Sequence, residues 1–324
     1  MISAERGHLQ GIPKVLFLMG TSRCGSTILD NILGEIDGFF TAGEIRFLWE
    51  RVLQGRHCGC GVRFVDCPVW SEVLEKASGD LSPEQWAETV NQSQRRSARL
   101  KHTLRLMRMS SRRAVSREHL GIFLQTMEQL YGITARSTGA RVIVDSSKRP
   151  SNGALLRLMR NVDPFVIHLV RDPRAVAYSQ AQVKQNPDRR IPGTMPQTGA
   201  MESMVHWNAT NTFAELVRAR HGQRRSLLIR YEDFVAEPQT TVQRILDLIG
   251  EPNSKPPFLD ADSVVLRQNH TVSGNPSRFQ TGTVHIRKDE RWTRGFPRKD
   301  AILTSALCAP LILKYRYPIV PPRR

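Results

Sequence analysis

Hydrophobic positions along this chain alternate between two periods. Val15-Leu16-Phe17-Leu18-Met19 is a continuous apolar run of strand length, and after a glycine-bounded turn Ile28, Leu29, Ile32, Leu33 and Ile36 recur at helical spacing up to Gly38. The same alternation returns downstream. Arg141–Val144 is β-branched and precedes a helical stretch from about Ser151 to Arg160, and Phe165–Val170 runs into a helix start at Arg171-Asp172-Pro173. Ser226–Arg230 is followed by Pro238–Ile249, which carries Val242, Ile245, Leu246 and Ile249 on one face, and Met201–Arg220 has the pattern of a further helix. Strands alternating with helices predict an α/β fold, a central parallel sheet with helices on both faces. One domain over 1–324 is expected, with a basic helical insert at about 81–131 entered at Ser82-Pro83-Glu84 and ending at Tyr131-Gly132. Met1–Pro13 reads as a loose lead-in, Asn186–Gly199 as a proline- and glycine-rich loop or lid, and the chain from Pro252 as irregular, with 252–292 covering the site.

The polar residues that follow the strands carry the candidate chemistry. Gly20-Thr21-Ser22-Arg23-Cys24-Gly25-Ser26-Thr27 joins a strand to a helix, so its backbone N–H groups converge with the helix dipole behind them and form an anion cradle. Its glycine spacing is Walker-like and predicts a P-loop-like three-layer fold, but Ser26 stands where that motif has lysine, and Arg23 is the loop's cation. Lys148 and Arg171 stand at the carboxyl ends of two further strands, where open parallel sheets bind ligands. Glu44 interrupts the apolar run Phe39–Trp49. It is either paired with Arg46 or Arg23, or a general base whose pKa its apolar neighbours raise. Cys58, Cys60 and Cys67 beside His57 are zinc-type ligands, but their spacing is not that of paired knuckles, so packed, reduced thiols are expected and no metal is assigned.

Charge and composition narrow the partners. The 324 residues carry a net charge of +17 and a pI of about 10.4, which favours acidic partners. Nine cations of the insert, Arg95, Arg96, Arg99, Lys101, Arg105, Arg108, Arg112, Arg113 and Arg117, surround an apolar stripe of Leu100, Leu104 and Met107. They form either a solvated helix face or a surface for an anionic acceptor or a membrane. No apolar run reaches the ~20 residues of a membrane span, and the N-terminus lacks a signal peptide's apolar core. An odd count of five cysteines fits a reducing compartment, and a cytoplasmic location is expected.

Together Arg23-Cys24-Gly25-Ser26-Thr27, Val170-Arg171-Asp172-Pro173-Arg174 with Ser179 eight residues beyond Arg171, and Arg230-Tyr231-Glu232-Asp233 resemble the PAPS-dependent sulfotransferases, in particular the soluble bacterial members. Gly43-Glu44-Ile45-Arg46 is similar to a stretch of the tyrosylprotein sulfotransferases. The resemblance implies a donor with two anionic ends, 3′-phosphoadenosine 5′-phosphosulfate (PAPS), leaving as adenosine 3′,5′-bisphosphate. It implies that Ser22, Arg23, Cys24, Gly25, Ser26 and Thr27 hold the 5′-phosphosulfate and that Arg171 and Ser179 hold the 3′-phosphate, a suitable task for a guanidinium. Arg278, Arg287 and Lys288 are further candidates for the 3′-phosphate by position. Arg23, Glu44, Lys148 and Ser273 are the implied catalytic set, with Glu44 as base, and the chemistry needs no metal.

The expected reaction is sulfuryl transfer to an acceptor hydroxyl, on a small or lipid-linked molecule and with some preference for an anionic one. A P-loop kinase is the alternative enzyme, weakened by the missing lysine. A basic nucleic-acid-binding protein on an inert scaffold is the non-enzymatic alternative. It lacks a recognisable motif and the aromatic interleaving used for stacking on bases, so no specific nucleic-acid partner is assigned.

Overall fold

The structure, a computed structural model, describes residues 11–183, 185, 194 and 197–320. Most of the expected lead-in and most of the 186–199 loop lie outside the described residues.

Five parallel strands form the central sheet: β1 (Lys14–Met19), β2 (Phe39–Gly43), β3 (Val142–Lys148), β4 (Asp163–Val170) and β5 (Ser226–Arg230), in the order β2-β3-β1-β4-β5. Strand β1 lies at the centre, and its alternation explains its unbroken apolar run. Val15, Phe17 and Met19 point into one helical layer and Leu16 and Leu18 into the other, all fully buried. The first helix, Ser26–Gly34, packs on the Leu16 face with the helices Tyr231–Ala236 and Pro238–Leu248. The opposite layer holds the helices between Leu48 and Leu156. From β1 the chain runs toward β2, and from β4 it runs the other way toward β5. The loops leaving these two neighbours therefore diverge, and a crevice opens at their carboxyl ends.

Strand β3 contains an irregularity that matters for the site. Phe17 pairs with Asp145 but Met19 pairs with Lys148, so β3 has one residue more than β1 over this interval. Lys148 closes the bulge with φ of 68°, in the left-handed region. Asp145, at the foot of the bulge, is fully buried. It accepts hydrogen bonds from the Tyr131 hydroxyl at 2.6 Å and the Ser147 amide at 2.8 Å.

Elsewhere the structure departs from the sequence reading. The insert is not one long helix. Ser82 caps Pro83–Ser97 with a full capping box, after which the chain breaks into the short turns Thr103–Met107 and Ser111–Val115 before the long helix Glu118–Thr138. The break changes the helical phase, so Leu106 and Met107 are buried while Leu104, expected in the apolar stripe, is 42 % exposed. The chain after Pro252 is also more ordered than its composition suggests. It forms an antiparallel pair, β6 (Ser263–Leu266) with β7 (Gly282–His285), and helices at Arg298–Leu307 and Ala309–Lys314. Among the described residues no helix is long and apolar enough to cross a membrane.

Tyr131→Phe tests how the sheet tolerates its buried carboxylate. Burial raises the pKa of Asp145 from 3.8 to about 6, against the hydrogen bonds from Ser147 and Tyr131. The folded protein thus disfavours the ionised form, and the stability this group contributes declines as pH rises from about 4 through 6. The tyrosine hydroxyl limits that loss, so its removal should cost about 1–3 kcal/mol at pH 8 and clearly less at pH 5, read from urea denaturation curves.

Candidate active site

The crevice at the carboxyl ends of β1, β3 and β4 holds a cavity of about 360 Å³. The turn after β1 forms its floor. Gly25 caps the first helix with φ of 93° and no side-chain cap, which leaves the amides of that helix's first turn directed at the cavity. A side chain here is excluded twice over, because a Cβ on Gly25 would lie 2.4 Å from the ring of Tyr231. Arg23 adopts φ of 69°, so with Lys148 two of the three non-glycine residues with positive φ among those described border one cavity. Backbone strain of this kind concentrates at functional sites.

Arg171 enters from the end of β4. Its Nη1 donates to the Arg23 carbonyl at 3.1 Å, its guanidinium lies 4.3 Å over the Tyr231 ring, and its buried Nε has no hydrogen-bond partner among the described residues. Asp289 meets it from the C-terminal segment, with Nη2 3.4 Å from Oδ2. Hydrogen bonding to Arg291 and the charge of Arg171 hold the Asp289 carboxyl down at about 2 against partial burial. A carboxylate therefore lies on the guanidinium where an incoming anion would bind. Ser179, on the helix Pro173–Ala181 that Asp172 caps, lines the same wall, and Gln180 donates to the Ser22 hydroxyl at 2.7 Å. The residues present fit a doubly anionic ligand, with an uncapped helix start at one end and an orphaned buried guanidinium donor at the other.

Glu44 stands just past β2, where Gly43, with φ of 65°, lets residues 271–273 pack closely. Its Oε1 is 2.5 Å from Lys148 Nζ and its Oε2 is 3.5 Å from Arg46 Nη2. The sequence offered pairing with arginine or a raised pKa. The principal partner is Lys148, and the pKa is lowered. Burial alone pushes the carboxyl up, but the charges of Lys148, Arg46 and Arg51 outweigh it, so Glu44 stays ionised below the usual glutamate range.

On the far side of Glu44 lies a second cavity of about 430 Å³. It shares Ser22, Glu44 and Lys148 with the first and is otherwise lined by Arg46, Arg99, Lys101, Arg149, His206 and neighbours. Burial lowers the pKa of Arg149, and Arg99 adds to the shift. Burial likewise lowers His206, with Arg149 and Arg46 contributing, so cations face cations across this space. A larger cavity, about 1290 Å³, opens near Pro13, Lys76 and Arg136 at the opposite edge of the sheet and contains none of these groups.

The first cavity thus gathers Ser22, Arg23, Gly25, Ser26, Thr27, Glu44, Lys148, Arg171 and Ser179 from four separate chain segments. Other candidates fall outside its lining. Cys24 is buried beneath the loop, and burial raises its thiol pKa. Ser273 holds the Glu44 amide with its carbonyl at 3.3 Å and accepts from Arg51 with its hydroxyl at 3.4 Å. Arg278 is buried and donates inward, to the carbonyls of Thr271 at 2.6 Å and His57 at 3.1 Å, so its placement is that of a clamp on the segment. Arg287 and Lys288 do not line the cavity, and Lys288 pairs with Glu290 at the surface. The lining also contains Tyr231, and from the 252–292 segment expected to cover the site it contains Gly274, Asn275, Asp289 and Arg291, none of which was singled out in the sequence. For Tyr231 a signal existed, since it follows strand β5 as Arg171 follows β4.

A model of the sulfotransferase family matches residues 13–255. No curated protein sequence matches the chain. Solved structures similar to it include a sulfotransferase domain from the curacin biosynthetic pathway, 16 % identical over 95 % of this chain and 99 % of that one, with a TM-score of 0.47. A sulfotransferase domain from the Synechococcus PCC 7002 olefin synthase is 17 % identical over 95 % and 96 % of the two chains, with a TM-score of 0.44. The sulfotransferase STF9 from Mycobacterium avium is 13 % identical over 96 % of this chain and 79 % of its own, with a TM-score of 0.46.

Gly25→Ala probes the cradle directly. The left-handed φ alone should cost about 1–3 kcal/mol. The clash with Tyr231 adds to this and should displace the ring from Arg171, seen as a lower denaturation midpoint and altered tyrosine fluorescence.

Proposed function

The chain belongs to the sulfotransferase family, and from that premise we propose that it transfers a sulfuryl group from 3′-phosphoadenosine 5′-phosphosulfate to a hydroxyl of an anionic acceptor. The observation that carries this reading is the meeting of two cavities at Glu44, Lys148 and Ser22, one lined by an uncapped helix start and the Arg171 guanidinium, the other by several cations. The amides and hydroxyls of Gly25, Ser26 and Thr27 would hold the 5′-phosphosulfate, and Arg171 with Ser179 the 3′-phosphate after Asp289 gives up the guanidinium. When bound, the donor supplies an electrophilic sulfur and a nucleotide phosphate as leaving group, the two partners of an in-line displacement.

The protein's own groups supply the rest. Glu44, already a carboxylate at neutral pH, is in the form that accepts the acceptor hydroxyl's proton. Its low pKa makes it a weak base while Lys148 pairs with it, and drawing the ammonium toward an anion in the first cavity would raise it. Arg23 and Lys148 would neutralise charge that develops on the leaving side, where fixed cations lower the barrier. The segments at about 81–131 and 252–292 would act within the same unit, the first providing acceptor contacts through Arg99 and Lys101, the second covering the donor through Gly274, Asn275, Asp289 and Arg291.

Adenosine 3′,5′-bisphosphate should raise the melting temperature and bind measurably by calorimetry, with Arg171→Ala weakening it at least tenfold. Stabilisation by Mg-ATP and none by the bisphosphate would overturn the reading. Glu44→Gln should lower kcat/KM by on the order of a hundredfold or more while nucleotide binding persists. Because the Glu44 pKa is lowered, kcat/KM should show no acid limb from this group between pH 8 and pH 6, and a loss appears only as pH falls below the usual glutamate range. In a panel of alcohols assayed with labelled donor, those carrying a carboxylate or phosphate should outcompete neutral counterparts, and Arg99→Ala with Lys101→Ala should remove that advantage.

A further inference from the structure

Outside the linings of the two active-site cavities, Cys58, Cys60 and Cys67 meet His270, and their four ligand atoms all lie within 4.8 Å of one another. The geometry points to a structural zinc site with a Cys3His ligand set that fastens the C-terminal segment to the loop after Glu44.

The distances support a single ion at the centre. A tetrahedral zinc with Zn–S near 2.3 Å and Zn–N near 2.05 Å places sulfurs about 3.8 Å apart and sulfur and nitrogen about 3.6 Å apart. Cys67 Sγ lies 3.6 Å from Cys58 Sγ and 3.7 Å from Cys60 Sγ, and His270 Nδ1 lies 3.3 Å and 3.8 Å from the sulfurs of Cys67 and Cys58. A disulfide needs about 2.05 Å, and Cys67 is almost equally far from both partners, so either bridge would leave a third thiol over. Cys58 and Cys67 are buried, and Cys60 and His270 are half-buried. Four protein ligands leave no open coordination position, as in structural rather than catalytic zinc sites.

The surroundings orient the ligands. The Trp70 amide donates to Cys67 Sγ at 3.5 Å, and the Trp70 indole donates to the His270 carbonyl at 2.6 Å. The Gly59 amide donates to the Thr271 carbonyl at 3.0 Å, and Gln268 donates to the Cys60 carbonyl at 3.1 Å. Outer contacts of this kind fix ligand direction in metal sites. His57, the imidazole adjacent in sequence, does not belong to the cluster. Its carbonyl serves Arg278 instead.

The position gives the ion a purpose. Immediately beyond His270, the Val272 amide donates to the Ala42 carbonyl at 2.9 Å, the Ser273 carbonyl accepts from the Glu44 amide, and the Asn275 amide donates to the Thr27 hydroxyl at 3.3 Å. Zinc at His270 would anchor the strap that holds both Glu44 and the phosphate-binding turn. It positions these residues and takes no part in sulfuryl transfer.

Untagged protein purified under reducing conditions should contain one equivalent of zinc by inductively coupled plasma mass spectrometry. Exchange with cobalt should give thiolate-to-cobalt charge-transfer bands and the intense visible bands of tetrahedral coordination. Cys60→Ser, at the half-buried ligand, should retain less than half of that zinc while Cys308→Ser retains all of it. If Cys60→Ser fails to fold, the cobalt spectrum of the wild-type chain decides. Zinc far below stoichiometry that fully reduced protein does not take up, or a cobalt spectrum without thiolate bands, would overturn the inference. So would full zinc retention by a folded Cys60→Ser protein.

Discussion

Cations held together in a partly dry cleft repel one another, and the carboxylate of Glu44 is what allows Lys148, Arg46, Arg51 and Arg23 to converge here. Lys148 and Glu44 each expose only 12 % of their side chains. Removing one partner of such a pair leaves the other charge buried and uncompensated, which typically costs about 3–5 kcal/mol. Asp289 does the same for Arg171 on the opposite wall. The protein thus preorganises its positive charge by supplying two anions of its own.

That arrangement depends on chain segments far apart in sequence. Glu44 follows β2, Lys148 ends β3, Arg171 follows β4, and the strap through His270 and Ser273 comes from beyond the sheet. Parallel strands bring their carboxyl ends to one edge regardless of the loops between them, so the sheet collects the cations. The strap has no strand of that sheet to follow, and it is placed by Gly43, by the Arg278 clamp and by the thiol cluster.

This difference explains what could be read from the sequence. Strand β1, the turn, Lys148 and Arg171 were legible because local pattern determines where they stand: an apolar run, a glycine spacing, a cation at a strand's carboxyl end. Ser179 came only from the family resemblance. His270 was not legible, since 203 residues separate it from Cys67 and His57 offered a nearer imidazole. Arg278 has the composition of a phosphate ligand, and only its buried hydrogen bonds to two carbonyls reveal that it faces away. The broken insert and the short strands β6 and β7 escaped because helical phase is reset at each break and four-residue strands carry little periodicity.

The bulge of β3 sets a limit on how this chain can vary in length. Deleting one residue between Asp145 and Lys148 would restore a regular ladder with β1, with the lysine still opposite Met19, and would abolish the left-handed turn from which its side chain reaches Glu44. Glu44 would lose its partner without any change to its own surroundings in sequence. The extra residue therefore works as a spacer. Ser147 ties that spacer to the segment carrying Glu44, since it is fully buried and its hydroxyl accepts from the Arg46 amide at 3.1 Å.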